Sequence, residues 1–61
     1  MSGYKQLSDY YSDDSKKTAS VIKELGTGRY IVRLVNDAGT AFSTTFDAED
    51  DAEKFAEDWV L

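Results

Sequence analysis

Arg29-Tyr30-Ile31-Val32-Arg33-Leu34-Val35-Asn36, then Asp37-Ala38-Gly39, then Thr40-Ala41-Phe42-Ser43-Thr44-Thr45-Phe46, is the stretch that decides how this chain folds. Two runs rich in β-branched and aromatic residues flank a short polar segment ending in glycine, the pattern of a β-hairpin. Asp37-Ala38-Gly39 reads as a type I turn with Gly39 in the left-handed position, closing a three-residue loop. Such a loop sets the pairing. Asn36 faces Thr40, Leu34 faces Phe42, Val32 faces Thr44 and Tyr30 faces Phe46. Side chains alternate along a strand, so one face collects Tyr30, Val32, Leu34, Phe42 and Phe46. The other collects Arg29, Ile31, Arg33, Val35, Ala41, Ser43 and Thr45. A large-apolar face backed by a mixed face suits a sheet with its core on one side.

Upstream, Thr18 to Leu25 reads as a further strand, ended by Gly26-Thr27-Gly28. Its register is open: either Val21 and Leu25 or Ile22 faces the core, with Val21 and Leu25 preferred. Downstream, Ala48, Ala52, Phe55, Ala56 and Trp59 form an apolar stripe at helical spacing. Asp47 suits the N-cap, and Glu49, Asp50 and Asp51 lie where the helix dipole favours negative charge. Glu53, Lys54, Glu57 and Asp58 fall on the opposite side. The expected fold is α+β: a three-stranded antiparallel meander with one C-terminal amphipathic helix on one face, in the order β-β-β-α. Its expected core is Tyr30, Val32, Leu34, Phe42, Phe46, Phe55 and Trp59.

Residues 1 to 17 are polar. Ser12-Asp13-Asp14-Ser15-Lys16-Lys17 has no apolar residue and reads as a linker. Tyr4, Leu7, Tyr10 and Tyr11 recur at spacings of three and four, a short helical stripe. A helix that short does not stand alone in water. The sequence thus divides into a polar N-terminal arm, 1–17, either flexible or a short docked helix, and a β-β-β-α domain, 18–61.

Composition narrows the chemistry. The chain has 61 residues, no cysteine and no histidine. Disulfides, Cys/His zinc sites, histidine bases and cysteine nucleophiles are therefore excluded. No apolar run approaches the ~20 residues that span a bilayer, and the first residues lack an apolar signal core. The expected setting is cytoplasmic, with no membrane partner. The net charge is −5. The acids crowd into Asp47 to Asp58, while residues 1 to 46 are nearly balanced. That segment reads as a solvated helix face, and Glu49, Asp50, Glu53 and Glu57 form a candidate acidic docking face. The acids of the segment do not follow a calcium-loop pattern, since they lack the central glycine. Gly26-Thr27-Gly28 joins two strands and not a strand to a helix, so it reads as a turn and not a phosphate loop. No enzymatic constellation, metal site or cofactor is expected.

Gly28-Arg29-Tyr30-Ile31-Val32-Arg33-Leu34, followed by a turn and by Thr45-Phe46-Asp47-Ala48-Glu49-Asp50-Asp51-Ala52, resembles the AP2/integrase-type DNA-binding domain. The resemblance implies a three-stranded sheet with one helix, and DNA contacted by the face away from the helix. Matched by position, Arg29, Arg33 and Lys23 would be the DNA-contacting bases. In place of the family's Arg-rich first strand stands Val21-Ile22-Lys23-Glu24.

The surface left unexplained is the second face of the sheet. Arg29, Ile31, Arg33, Val35 and Ala41 are its candidate interaction residues, because apolar side chains clustered across strands call for a cover. The leading expectation is a non-enzymatic accessory or regulatory protein that binds another protein, with a second copy of the chain as one candidate partner. Nucleic acid bound through Arg29 and Arg33 is the alternative.

Overall fold

The structure, a computed structural model, describes residues 3–61. It contains β1 (Tyr4–Ser12), β2 (Lys17–Glu24), β3 (Tyr30–Val35), β4 (Ala41–Phe46) and α1 (Glu49–Val60). The strands form one antiparallel sheet in the order β1-β2-β3-β4. The α+β class and the C-terminal helix agree with the sequence reading. The sheet has four strands, one more than expected. The extra strand comes from the supposed arm, whose first two residues lie outside those described.

The helical spacing of Tyr4, Leu7, Tyr10 and Tyr11 has a specific cause. The pairing of β1 with β2 slips between Gln6 and Ser8, a β-bulge. One extra residue reverses the alternation, so Leu7 and Tyr10, three apart, share one face while Tyr4 and Tyr11 share the other. Leu7 and Tyr10 pack towards the core. Tyr4 and Tyr11, opposite Glu24 and Thr18, point to the other face. The presumed linker is the hairpin loop between β1 and β2. Ser12 Oγ accepts from the Ser15 amide at 3.4 Å and from Ser15 Oγ at 2.9 Å, and Lys16 takes the left-handed conformation at φ 53°.

The β3–β4 hairpin follows the expected register: Leu34 opposite Phe42, Val32 opposite Thr44, Tyr30 opposite Phe46. Gly39 has φ 83° and its amide donates to the Asn36 carbonyl at 3.0 Å, closing the type I turn. Asn36 Oδ1 also accepts from the amides of Ala38 and Thr40. On β2, Val21 faces the core as preferred. Leu25 does not: it lies past the end of the strand and is exposed.

The core lies between α1 and one sheet face. Ala19, Val21, Val32, Leu34, Ala52, Ala56 and Val60 are buried, with Leu7, Tyr10, Tyr30, Phe46 and Trp59 packed around them. Two expected core residues are displaced. Phe42 is half exposed, and Phe55 is 38% exposed at the flank, where its ring lies 5.3 Å from that of Phe46. The buried line of the helix runs through Ala52, Ala56 and Val60, because small side chains let the helix lie closer to the sheet than a line centred on Phe55 would. The N-cap is Ala48, not Asp47, with no side-chain cap bond. The chain spends Asp47 and Ala48 turning from β4 onto the sheet, so the carboxylate falls one residue early. Glu49, Asp50 and Asp51 occupy the first helical turn as expected.

Polar contacts fix the two ends of the helix. Glu53, expected to face solvent, accepts from Tyr10 Oη at 2.5 Å and from Ser8 Oγ at 2.9 Å. At the other end no basic residue lies in the last helical turn. Lys17 of β2 supplies the cation instead. Its Nζ reaches the Trp59 carbonyl at 3.5 Å and lies 5.2 Å from the Trp59 ring centroid. This complements the negative end of the dipole and adds a cation–π contact.

Two expectations follow. Ala56→Leu should destabilise the fold by about 1–3 kcal/mol through overpacking. Phe55→Ala should cost only about 1 kcal/mol, since it removes a half-exposed ring and one aromatic pair. Chemical denaturation of both variants checks the order. The second concerns Tyr10, whose pKa is raised above 10.0, first by its hydrogen bond to Glu53, then by desolvation and by the charges of Glu53 and Glu57. A raised folded-state pKa means the stabilisation is full below the unfolded value and is lost as pH climbs through the folded value. By removing the hydrogen bond to Glu53, Tyr10→Phe should be less stable than wild type at neutral pH. The difference between their melts should begin to shrink near pH 10, the unfolded value, and close only above the raised folded value.

Candidate interaction face

Strand alternation places α1 and the core on one side and leaves the other side of all four strands open. The register arranges this open face in rows across the sheet. One row is Gln6, Ile22, Ile31 and Thr45; the next is Asp9, Ser20, Arg33 and Ser43; a third is Tyr11, Thr18, Val35 and Ala41. Ile22 and Ile31 fill the centre of the first row, Tyr11, Val35 and Ala41 make up most of the third, and the row between them is polar. Within the middle row, Ser20 Oγ donates to Asp9 Oδ1 at 2.6 Å, and Gln6 Nε2 donates to the same carboxylate group. Arg33 stands exposed beside Ser20 and Ser43.

Ile22 and Ile31 are direct cross-strand neighbours and line a shallow hollow with Tyr4, Arg33, Ala41, Ser43 and, at the β4 edge, Phe42. Both isoleucines and Val35 are only partly buried. Tyr4 and Tyr11 are 67% and 62% exposed. A soluble sheet face normally carries polar side chains, so an apolar cluster rimmed by two tyrosines stands out.

Four of the five residues singled out from the sequence belong to this face. Ile31, Arg33, Val35 and Ala41 lie on it. Arg29 lies before β3 in the loop, exposed, with its amide on Thr27 Oγ1 at 3.3 Å. Lys23 is not on this face at all. It pairs with Tyr30 on the helix side and its Nζ lies 5.7 Å from that ring. The three bases matched to the DNA-binding family are therefore not gathered on one surface. Sequence reasoning did not place Tyr4, Asp9 and Tyr11 here, since the bulge in β1 hid their alternation.

The acidic face is also rearranged. Glu49, Asp50 and Glu57 are exposed, whereas Glu53 turns to β1 and is engaged by Tyr10 and Ser8. Among the described residues no group of three or more acids could hold a metal ion, and no helix is long and apolar enough to cross a membrane. The acids of α1 lie across the sheet from the open face, which itself carries Asp9 and Arg33 in one row. The chain matches no protein-family model, no curated protein and no solved structure.

Proposed function

We propose that this chain is a small, non-enzymatic accessory or regulatory protein of the cytoplasm that acts by binding another protein through the open sheet face. The observation that carries this reading is the cross-strand pair Ile22–Ile31, with Tyr4 and Ala41 lining the same hollow and with Val35 and Tyr11 in a further row beyond Ser20 and Arg33, on the side of the sheet away from the core. Aromatic side chains and arginine are the residues that most often anchor protein interfaces. Arg33, set among serines, gives the partner's chemistry: an apolar ridge with a carboxylate beside it. The lack of cysteine in so short a chain supports a reducing compartment.

Duplex DNA on the same face is the second reading. It rests on Arg33, with Arg29 nearby, and on the family resemblance. Few bases weaken it, because affinity for DNA comes largely from neutralising phosphates. The chain's net charge of −5 weakens it further.

The test uses the tagged full chain, wild type and Ile31→Glu, as bait, with circular dichroism to confirm that both fold. A captured protein should be retained by wild type and lost by Ile31→Glu. Arg33→Ala should slow association and reduce its salt dependence. Fluorescence anisotropy with labelled duplex DNA runs alongside and should show no binding at physiological salt. Salt-sensitive DNA binding that disappears in an Arg29→Ala/Arg33→Ala double variant would overturn the protein-binding reading.

A further inference from the structure

The sheet has two edges, and they are built differently. The β1 edge is interrupted by the bulge at Leu7 and carries Lys5 and Asp9. Bulges and charges are the usual means of keeping an edge from pairing with another chain. The β4 edge has neither. From Thr40 to Phe46 it holds no charge, and its register with β3 is continuous.

The free groups of this edge follow from the hairpin. The Asn36 amide donates to the Thr40 carbonyl at 3.1 Å, so Thr40 directs its backbone inward. Alternation then turns Phe42, Thr44 and Phe46 towards β3, and Ala41, Ser43 and Thr45 outward with open N–H and C=O groups. α1 makes its fewest contacts with β4. That leaves Phe42, on the helix side of the edge, 50% exposed. Beside it runs a groove lined by Phe46, Asp51, Lys54, Phe55 and Asp58.

We propose that β4 is a homodimerisation edge: β4 of a second copy pairs with it antiparallel about a two-fold axis, joining two four-stranded sheets into one of eight strands. The strand is complementary to itself in one register. Ser43 meets Thr45 of the second copy and exchanges backbone bonds with it. Thr44 meets Thr44, and Phe42 meets Phe46 of the second copy. The last pair is of the non-hydrogen-bonded kind, in which side chains approach most closely, and aromatic pairs are among the more favourable there. It brings Phe42 to the mouth of the groove over Phe46 and Phe55 of the other copy. No like charges oppose within the strand pair. The offset of α1 away from β4 keeps the two acidic helices on separate sides of the new seam. A two-fold pairing uses both β4 edges and leaves only the bulged β1 edges outside, so assembly stops at the dimer. The open faces of the two copies then lie side by side. This inference does not depend on what binds there.

Analytical ultracentrifugation of the full chain across concentration tests it. Wild type should pass from monomer to dimer, and the Ser43 and Thr45 amides should exchange about ten-fold more slowly in the dimer than in the dilute monomer. Ser43→Pro removes an outward N–H and spares the bonds to β3; Phe42→Lys replaces the exposed ring and leaves the backbone intact. Each should raise the dissociation constant by about ten-fold or more. Phe42→Lys keeps the test decisive if proline unfolds the strand, since its side chain is already half in solvent. Ile31→Glu should leave the dimer unchanged. A wild-type chain still monomeric at millimolar concentration overturns the proposal. So does a dimer that resists Phe42→Lys but dissociates in Ile31→Glu, which would place the contact on the open face instead.

Discussion

The structure depends on how closely one helix can lie on a four-stranded sheet, and alanine sets that distance. Ala52 and Ala56 are fully buried and face a sheet whose own contacts at the centre are Ala19, Val21 and Val32. The largest fully buried side chains in the described chain are valines. With so little volume to fill, the two layers approach closely, and dispersion between many small groups replaces the burial of a few large ones. A domain of this length buries a smaller share of its surface than larger ones do, so its margin of stability is narrow. Small side chains also leave no slack: an extra methylene between helix and sheet has nowhere to go.

Close approach alone would not choose the direction of the helix. Contacts from the two N-terminal strands do. Ser8 and Tyr10 of β1 hold Glu53 near the start of α1, and Lys17 of β2 holds the carbonyl and ring of Trp59 at its end. The last helical turn has acids and no base of its own, so Lys17 supplies a charge that the helix lacks. These contacts draw α1 over β1, β2 and β3. The aromatic pair Phe46–Phe55 is its main link to β4. The asymmetry has a direct result: one edge of the sheet and the ring of Phe42 are left uncovered.

Charge divides the molecule in the same way as packing. The acids of residues 47 to 58 ride on the helix side, where solvent takes up their fields. The open face keeps a polar row between Ile22–Ile31 on one side and Tyr11, Val35 and Ala41 on the other, with Asp9 already engaged by Ser20 and Gln6, and Arg33 exposed. A surface of this kind combines apolar area for affinity with few charges for orientation. The edge of β4 adds a third kind of surface, made of backbone groups and not side chains.

The sequence alone determined the β3–β4 hairpin, its register and its turn, because these follow from local rules: alternation, a three-residue loop and a glycine free to adopt positive φ. It also determined that a helix with acids in its first turn comes last, and that Ile31, Arg33, Val35 and Ala41 share a face. Only the tertiary structure decided what depends on residues far apart in the chain. The first strand was hidden because a bulge at Leu7 broke the period of two and put Leu7 and Tyr10, three apart, on one face, and a bulge forms only against a partner strand. The phase of α1 moved from Phe55 towards Val60 because closeness to the sheet, absent from any helix considered alone, favours alanine in the contact line. Glu53 left the acidic face for the same reason, since its partners Ser8 and Tyr10 lie more than forty positions away. Local periodicity shows which side chains share a face. What that face meets is set by packing between elements, which no single segment contains.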